Sequence, residues 1–284
     1  MPLEDELGDV LDKAMRRVGL TEHGVAERAG VAPERLRDAL DYRGELTCEE
    51  LCRLAAVLGL NEVGVCALGV GRYPRPEIGP LPFRVWPLRM PHGIGVVNAY
   101  LVGEGGSPGA VLFDTGAGLA DLAAVWPSEV QGLEAVFVTH VEREHAGGLC
   151  GVVERFRVPA AFVPEGIQVP CGVGVGEGEV RTFGALRIRV FATPGHVAAH
   201  NCYLVERVDG DRAGAMLFSG DLLFAGSVGG AFFSSAQLHH HLQRLLGSLQ
   251  GETVIAPGHG PLTTVWHELR YNPFCSPATA GSAR

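Results

Sequence analysis

The sequence has almost no lysine and no long apolar run. Lys13 is the only lysine among 23 basic residues, and because the basic residues do not cluster, we attribute this to compositional bias of the genome. Nowhere do about 18 apolar residues follow one another, so no membrane-spanning helix and no membrane partner are expected. The acidic, amphipathic N-terminus does not resemble a secretory signal peptide. We therefore expect a soluble, cytoplasmic protein, and its net charge of −9 disfavours a polyanion as the main partner.

Close cysteine pairs are also scarce. The seven cysteines are an odd number and are scattered along the chain. Cys48 and Cys52 lie four residues apart on a predicted helix, but no second close pair completes a zinc site. We therefore predict reduced, buried thiols, as is usual in the cytoplasm.

Two regions differ in the period of their apolar residues. The chain has 284 residues, 46% of them apolar, which suffices for one large domain and a small one. Residues 1–70 show the period of short amphipathic helices, with a capping box at Thr47 and Glu50. Residues 71–82 are rich in proline and indicate a linker. In residues 83–284 short apolar strands alternate with helical patterns, which predicts an α/β (α+β) domain.

The helical run 20–60 resembles the Cro/repressor-type helix-turn-helix, whose second short helix enters the DNA major groove. However, residues 1–75 hold ten Arg and Lys against fourteen Asp and Glu, a net charge of −4. Affinity for DNA rests largely on neutralising phosphates. DNA binding through residues 20–44 is therefore disfavoured but left open, and a role in docking or in forming a homodimer is favoured.

Potential metal ligands follow four of the predicted strands. They are His140, His196, Asp221 and His259. The last three each come directly after a glycine, which lets the backbone turn sharply and leaves room for a metal. Side chains at strand ends in an α/β domain converge on one edge of the sheet. Two histidines and two glutamates also fall within positions 140–145. Together these residues predict a metal site.

The order of these motifs resembles the metallo-β-lactamase superfamily. The motifs are Asp114-Thr115-Gly116, Thr139-His140-x-x-x-x-His145, Gly195-His196, Gly220-Asp221 and Gly258-His259. The resemblance covers roughly residues 83–275 and implies an αββα sandwich with a dinuclear metal site at one edge. The segments "HNCYLV" (200–205), "FSGDLLFAGSVG" (218–229) and "HGPLTTVWHELRYNPF" (259–274) resemble the glyoxalase II (hydroxyacylglutathione hydrolase) branch.

The resemblance also implies a role for each ligand. One metal would be held by His140, Glu142 and His196. The other would be held by Glu144, His145 and His259. Asp221 would bridge the two metals, and Asp114 would stand behind the ligands and fix their loop through hydrogen bonds. Glu144 and Asp221 are also the candidate catalytic carboxylates.

This ligand set predicts a dinuclear metal-dependent hydrolase of a thioester or a related activated ester, acting on a small-molecule substrate. Two divalent ions ~3.5–4 Å apart need a bridging carboxylate and a bridging hydroxide. They lower the pKa of the bound water from 15.7 to about 7 and polarise a substrate carbonyl. No serine nucleophile is needed, and Ser219 is better explained by the turn before Asp221.

The two glutamates leave the metal and the chemistry open. The glyoxalase II motif is H-x-H-x-D-H, whereas this chain has Glu142 and Glu144 at the second and third ligand positions. Zinc is the expected metal, but a hard, negative oxygen in place of an imidazole favours iron or manganese. The motif also resembles diiron members of the superfamily, so a protein that binds or reduces O2 or NO is an alternative. A third is a sensor whose metal domain reports to the helical domain.

Three further residues are weaker candidates for substrate contacts. His92 lies in the loop that roofs the site in this fold, His200 follows His196 by four positions, and Arg270 could bind a substrate carboxylate. His239, His240 and His241 cannot all face one site, so we predict that they form a solvated helix face.

Overall fold

The N-terminal part of the chain is helical. The computed structural model describes residues 1–210 and 214–275. The helices of this part are α1 (Leu7–Val18), α2 (Glu22–Ala29), α3 (Pro33–Leu40), α4 (Cys48–Leu58) and α5 (Glu62–Gly69). At the start of α4, Thr47 and Glu50 form the predicted capping box, and Thr21 caps α2. Apolar side chains such as Leu11 and Leu51 are fully buried between the helices.

The strands of the described residues form two sheets of six. The first has the order β1 (Arg84–His92), β2 (Gly95–Gly103), β3 (Gly109–Phe113), β4 (Gly132–Phe137), β5 (Ala161–Pro164) and β6 (Val173–Val175). The second has the order β12 (Thr263–Thr264), β11 (Val254–Pro257), β10 (Met216–Gly220), β9 (Asn201–Arg207), β8 (Leu186–Ala192) and β7 (Val180–Phe183). The pairs β3–β4 and β10–β11 are parallel, and β8 runs in the direction of β10 because both are antiparallel to β9. These strands therefore deliver their C-terminal loops to one edge of each sheet.

The two sheets pack face to face, and helices cover their outer faces. Phe113, Phe137 and Tyr203 fill the layer between the sheets, and the ring of Phe218 stacks on that of Phe113 at 3.8 Å between centroids. The remaining helices are α6 (Leu119–Ala124), α7 (Arg143–Ala146), α8 (Leu149–Phe156), α9 (Ser235–Ser248) and α10 (Val265–Tyr271). Helices α6 and α8 pack on the first sheet, and α9 and α10 on the second. The predicted αββα sandwich, preceded by a helical region, is confirmed.

The N-terminal helices pack against the side of the second sheet that α9 and α10 cover. Their buried residues form one continuous cluster with those of α9. The side chain of Asn61 donates to the carbonyl of Arg270 at 2.9 Å, and Arg17 lies 3.0 Å from His239 Nε2. His239 is therefore half-buried at this contact. The prediction of a solvated face was wrong for this histidine, because α1 covers it.

The prediction of reduced, buried cysteines was wrong for one pair. Cys150 of α8 and Cys171 are joined by a disulfide, with their Cα atoms 5.7 Å apart. Their separation of 21 residues gave no signal, because only the packing of α8 beside the 165–172 loop brings them within disulfide range. Cys48 is also exposed rather than buried.

The described residues contain no candidate for a membrane-spanning helix. Among the helices of residues 1–210 and 214–275, none is both long and apolar enough to cross a bilayer. The final residues of the predicted large domain, 276–284, lie outside the described residues.

Candidate metal centre

Four histidines of the candidate centre are anchored through Nδ1. The pairs are His140 with Thr139 Oγ1 (3.0 Å), His145 with Asp114 Oδ2 (3.1 Å), His196 with the Gly230 carbonyl (2.6 Å) and His259 with the Val96 carbonyl (3.0 Å). Carbonyl and carboxylate oxygens only accept hydrogen bonds, so Nδ1 of the last three carries the proton. The Thr139 hydroxyl donates to Asp114, which leaves it to accept from His140. Each imidazole is thereby held in the tautomer that leaves the Nε2 lone pair available.

The Nε2 atoms converge around Asp221. His145 Nε2 lies 3.4 Å from Asp221 Oδ1, and the Nε2 atoms of His196 and His259 lie 3.7 and 3.6 Å from Oδ2. Four of the converging atoms are buried and find no hydrogen-bond partner in the described residues: Nε2 of His140, His145 and His196, and Oδ1 of Asp221. Buried polar atoms are normally paired, so this concentration of orphaned atoms is typical of a site built for a cation.

Both glutamates of the 140–145 segment reach this centre. Glu142 Oε1 lies 3.6 Å from His196 Nε2, and Oε2 lies 3.9 Å from His140 Nε2. Glu144 forms a second group with His145 and His259, in which one ligand atom from each residue lies within 4.8 Å of the others. Two ligands ~2.0–2.2 Å from one tetrahedral ion are separated by roughly 3.3–3.6 Å. The two triplets that the resemblance implies are thus brought together, the first at separations close to those of ligands on one ion and the second within 4.8 Å.

The carboxylates and imidazoles of the centre shift the pKa values of one another. Burial alone would raise the pKa of Asp221, but His145 and the other three histidines outweigh it and hold the pKa below its usual range. Burial also favours neutral His145, yet Asp221 and Asp114 raise the pKa of this histidine to about 9. Burial lowers the pKa of His140, and the nearby imidazole of His140 lowers the pKa of Glu142. Because a ligand must give up its proton, metal binding here would release protons.

Two glycines make room for the centre. A Cβ added at Gly258 would overlap Asp221 Oδ1 and lie 2.7 Å from His145 Cε1. Gly220 has φ +48°, and its Cβ would lie 2.7 Å from Thr139 and 2.8 Å from His200 Nε2. The glycines predicted to leave room beside the ligands are therefore required by packing at these two positions.

Asp114 stands behind the ligands, as expected from the sequence. Its carboxylate accepts hydrogen bonds from the Thr139 backbone amide at 2.7 Å, from the Thr139 hydroxyl and from His145 Nδ1. The residue is buried and has φ +60°, a left-handed conformation that aspartate and asparagine tolerate better than most residues. One side chain therefore positions both ends of the 139–145 segment.

Asp114→Asn is expected to weaken metal binding by roughly 10–100-fold. The asparagine can keep the backbone conformation, but its NH2 group meets the donors of Thr139 and His145. Competition with a chromophoric zinc chelator measures the affinity. Asp209→Asn, on the surface, is the matched control and should bind as the wild type does. Equal affinities for the two variants would contradict the supporting role of Asp114.

His92 and Arg270 lie in different surroundings. His92 ends β1, is partly exposed, and its Nε2 lies 3.8 Å from Glu144 Oε1, so the β1–β2 hairpin roofs the centre on this side. The guanidinium of Arg270 instead lies over the rings of Trp266 and Tyr271, 5.3 Å from each centroid. Asn61 donates to the backbone carbonyl of Arg270, but the side chain of Arg270 is exposed, and its contact with a substrate carboxylate stays a prediction.

His200, predicted as a candidate for substrate contact, supports the backbone of the centre instead. It is 1% exposed, its Nδ1 lies 2.8 Å from the Thr193 hydroxyl, and its Nε2 accepts the backbone N–H of Asp221 at 3.2 Å. Burial lowers the pKa of His200, which keeps it neutral and able to accept. Both nitrogens are occupied, so the structure places this imidazole behind Asp221 and away from any substrate.

Several neighbours of the centre had no sequence signal. The carbonyls of Val96 and Gly230 anchor two histidines, and main-chain acceptors cannot be read from residue types. Glu4 Oε1 lies 3.8 Å from His259 Nδ1, although the two residues are 255 positions apart. Thr139 is the exception, because it directly precedes His140 in the motif and could have been predicted to anchor it.

Known proteins are similar to this chain in sequence. A family model described as the metallo-beta-lactamase superfamily matches residues 92–259. The hydroxyacylglutathione hydrolase of Halorhodospira halophila is 36% identical over 157 residues, 53% of this chain and 57% of that protein. An uncharacterized protein of Aquifex aeolicus is 30% identical over 208 residues, 65% of this chain and 94% of that protein. The match thus spans only about half the length of the hydroxyacylglutathione hydrolases, but nearly all of the Aquifex protein.

Solved structures extend the similarity. ETHE1 from Myxococcus xanthus is 30% identical with a TM-score of 0.54, covering 67% of this chain and 83% of that one. TTHA1623, solved in a di-iron-bound form, is 33% identical with a TM-score of 0.53, covering 66% of this chain and 99% of that one.

Proposed function

The chain belongs to the metallo-β-lactamase superfamily, and on this premise we propose that it is a dinuclear metal-dependent hydrolase of a thioester or a related activated ester. The observation that carries the proposal is the convergence of free histidine Nε2 atoms on both oxygens of Asp221. Similarity to hydroxyacylglutathione hydrolases supports an ester whose leaving group is a thiol.

The residues present fit two divalent ions. One would be held by His140, Glu142 and His196, the other by Glu144, His145 and His259, with Asp221 between them. Two ions bound there supply a water whose pKa is lowered to about 7 and a positive charge that polarises a substrate carbonyl.

The chain itself provides the orientation and the proton acceptor. Asp221 Oδ1 is buried and finds no donor in the described residues, so it can accept a hydrogen bond from the attacking water. Asp114 and the Gly230 carbonyl fix the imidazoles of His145 and His196, so the ligands need no rearrangement when a substrate binds. His92 beside Glu144 is placed to contact a substrate entering under the β1–β2 hairpin.

Metal analysis after anaerobic purification, combined with S-lactoylglutathione turnover, tests the proposal. We expect about two divalent ions per chain and hydrolysis that stops when a chelator removes them and returns with added metal. Two irons with a visible absorption that responds to oxygen, together with no ester hydrolysis, would refute a hydrolase.

A diiron protein that binds or reduces O2 or NO is the second candidate. It is favoured by Glu142, a hard oxygen donor at a position where the glyoxalase II motif has histidine. A relative with a di-iron-bound structure supports it. The same purification separates the two candidates, because only this one requires iron and a response to oxygen.

Glu142→His is expected to raise the zinc-to-iron ratio of the purified protein several-fold. The substitution removes a negative charge and replaces a hard oxygen by an imidazole nitrogen, which suits zinc. Elemental analysis after reconstitution with equal concentrations of the two metals gives the ratio. Glu142→Gln removes the charge without adding an imidazole and is the control. An unchanged ratio in the histidine variant would show that this position does not select the metal.

The helical region is proposed to dock rather than to read DNA. On α3, the predicted recognition helix, Arg35 forms a two-point ion pair with Glu50, and Arg37 pairs with Glu22. These acidic partners reduce the charge that the helix can offer to phosphates. A gel shift at low salt against genomic fragments tests this, and sequence-selective retention would overturn it.

A further inference from the structure

A cavity lies where the helical region meets the large domain. It has a volume of about 210 Å³ and is enclosed by α1, the 228–232 loop and the beginning of α9. Its lining includes Asp12, Lys13, Arg16 and Arg17 of α1. The helical region therefore forms one wall, and the large domain forms the opposite one.

The opposite wall is shared with the candidate metal centre. Gly230 lines the cavity, and its carbonyl holds His196 Nδ1 at 2.6 Å. Phe232 also lines it, and the ring centroid of Phe232 lies 5.2 Å from that of His196. Phe232 is 74% exposed and its neighbour Phe233 is 53% exposed, so the two rings form an apolar patch beside the centre, as is common at ligand-binding sites. A molecule with its carbonyl beside His196 can therefore extend across Phe232 into the cavity.

The α1 wall is positively charged within an acidic protein. The cavity is lined by three cationic side chains, those of Lys13, Arg16 and Arg17, and by one carboxylate, that of Asp12. The whole chain, in contrast, has a net charge of −9. Lys13 is already paired with Asp5 and with the Val228 carbonyl, and Arg17 holds His239 and the carbonyls that end α4. Among residues 1–210 and 214–275 Arg16 pairs only with Asp12, and its side chain is 74% exposed. Arg16 is therefore the cation most able to turn towards a ligand.

We propose that this cavity binds the leaving group of the substrate, and that it selects thiols or alcohols bearing a carboxylate or a phosphate. The proposal rests on the hydrolase function proposed above. Water adds to the carbonyl carbon, the bond from that carbon to sulfur or oxygen breaks, and the leaving atom takes a proton, so the anionic group itself is unchanged. The helical region is then a substrate-recognition domain.

Kinetics with three lactoyl thioesters test the proposal on the full-length, metal-loaded protein. The leaving groups are glutathione (carboxylates), coenzyme A (phosphates) and N-acetylcysteamine (uncharged). Wild type should prefer one of the anionic esters, and which one identifies the anion. In Arg16→Glu, KM for that ester should rise about tenfold with little change in kcat, whereas the uncharged ester should change by less than about twofold.

Arg37→Glu is the matched control, because Arg37 is also exposed and ion-paired but lies on α3, outside the cavity lining. It makes the same change in net charge and should leave all three KM values unchanged. Equal kcat/KM for all esters in the wild type, or equal effects of the two variants, would overturn the proposal.

Failure of the hydrolase function has a separate signature, namely no turnover of any ester by the metal-loaded wild type. Calorimetric titration with free glutathione and free coenzyme A then decides about the cavity. Binding kept in Arg37→Glu and lost in Arg16→Glu would support an anion site. Binding that is absent, or equal in the two variants, would overturn it.

Discussion

Asp221→Ala is expected to reduce the bound metal to less than one ion per chain and to abolish hydrolysis. Asp221 is the only carboxylate whose two oxygens lie near histidines of both triplets in the described residues. Without it, Glu142 and Glu144 each remain beside one triplet, but no carboxylate joins the two triplets. The loss of affinity should exceed the roughly 10–100-fold that removal of a supporting group causes. Elemental analysis and ester turnover measure the two effects.

Ser219→Ala is the control for this experiment. Ser219 lies two residues before Asp221, is fully buried, and donates its hydroxyl proton to the Leu223 carbonyl at 2.8 Å. Its loss should leave the metal content and the turnover near those of the wild type, at a small cost in stability. A turnover lost in Ser219→Ala but kept in Asp221→Ala would replace the metal mechanism with a serine nucleophile.

Glu268→Ala is expected to destabilise the fold by about 3 kcal/mol or more, because each buried donor left without an acceptor costs about 1–3 kcal/mol. Glu268 is fully buried in α10 and accepts hydrogen bonds from four donors: the Gly226 backbone amide (3.0 Å), Asn272 Nδ2 (2.7 Å), Thr263 Oγ1 (2.6 Å) and the Tyr73 hydroxyl (3.3 Å). These donors belong to the linker, the 224–227 loop, β12 and the residue that follows α10. Removal of the carboxylate leaves all four without their shared acceptor. Chemical unfolding measures the loss.

Glu268→Gln is the matched variant, because it keeps one acceptor oxygen and nearly the same volume. It should lose less stability than the alanine variant. A Glu268→Ala protein as stable as the wild type would contradict the role of this carboxylate as the shared acceptor of the four segments.

Comparison of the wild type with Glu268→Gln should also reveal an effect of pH on stability. Burial raises the pKa of Glu268 to about 7, whereas an unfolded glutamate titrates near about 4.3. Between these values the folded state holds the proton more tightly, so this group's contribution to the free energy of unfolding falls as pH rises. Between pH 5 and pH 8, wild type should lose stability relative to Glu268→Gln when both are compared in chelator. A constant difference across this range would contradict the raised pKa.

Much of the candidate centre was predictable because its ligands are local in sequence. His140, His196, Asp221 and His259 each lie within four residues of the end of an apolar strand, and such a run with its ligand is recognisable in a short window of sequence. The αββα fold followed from the order of the same motifs. Four short strands, β5, β6, β7 and β12, were not predicted, because segments of two to four residues carry too little periodicity.

Other features depended on contacts between distant segments. The disulfide of Cys150 and Cys171 and the burial of His239 arise from packing that no local pattern encodes. His200 looked like a pocket residue because it lies near His196 in sequence. Its position in the interior is set by β9, which brings it behind Asp221 of the neighbouring strand.

The identity and order of the candidate ligands, including the unusual Glu142 and Glu144, are properties of the amino-acid sequence, because four of them share the 140–145 segment and the other three each lie within four residues of the end of a strand. The tautomer of each histidine is a property of the folded protein, since Val96, Asp114 and Gly230 belong to distant segments, and Thr139 is itself held by Asp114. The same holds for the charged cavity, which exists only because α1 packs against the 228–232 loop. Local chemistry thus specifies what can bind metal, and long-range packing decides how the ligands are held and what lies beside them.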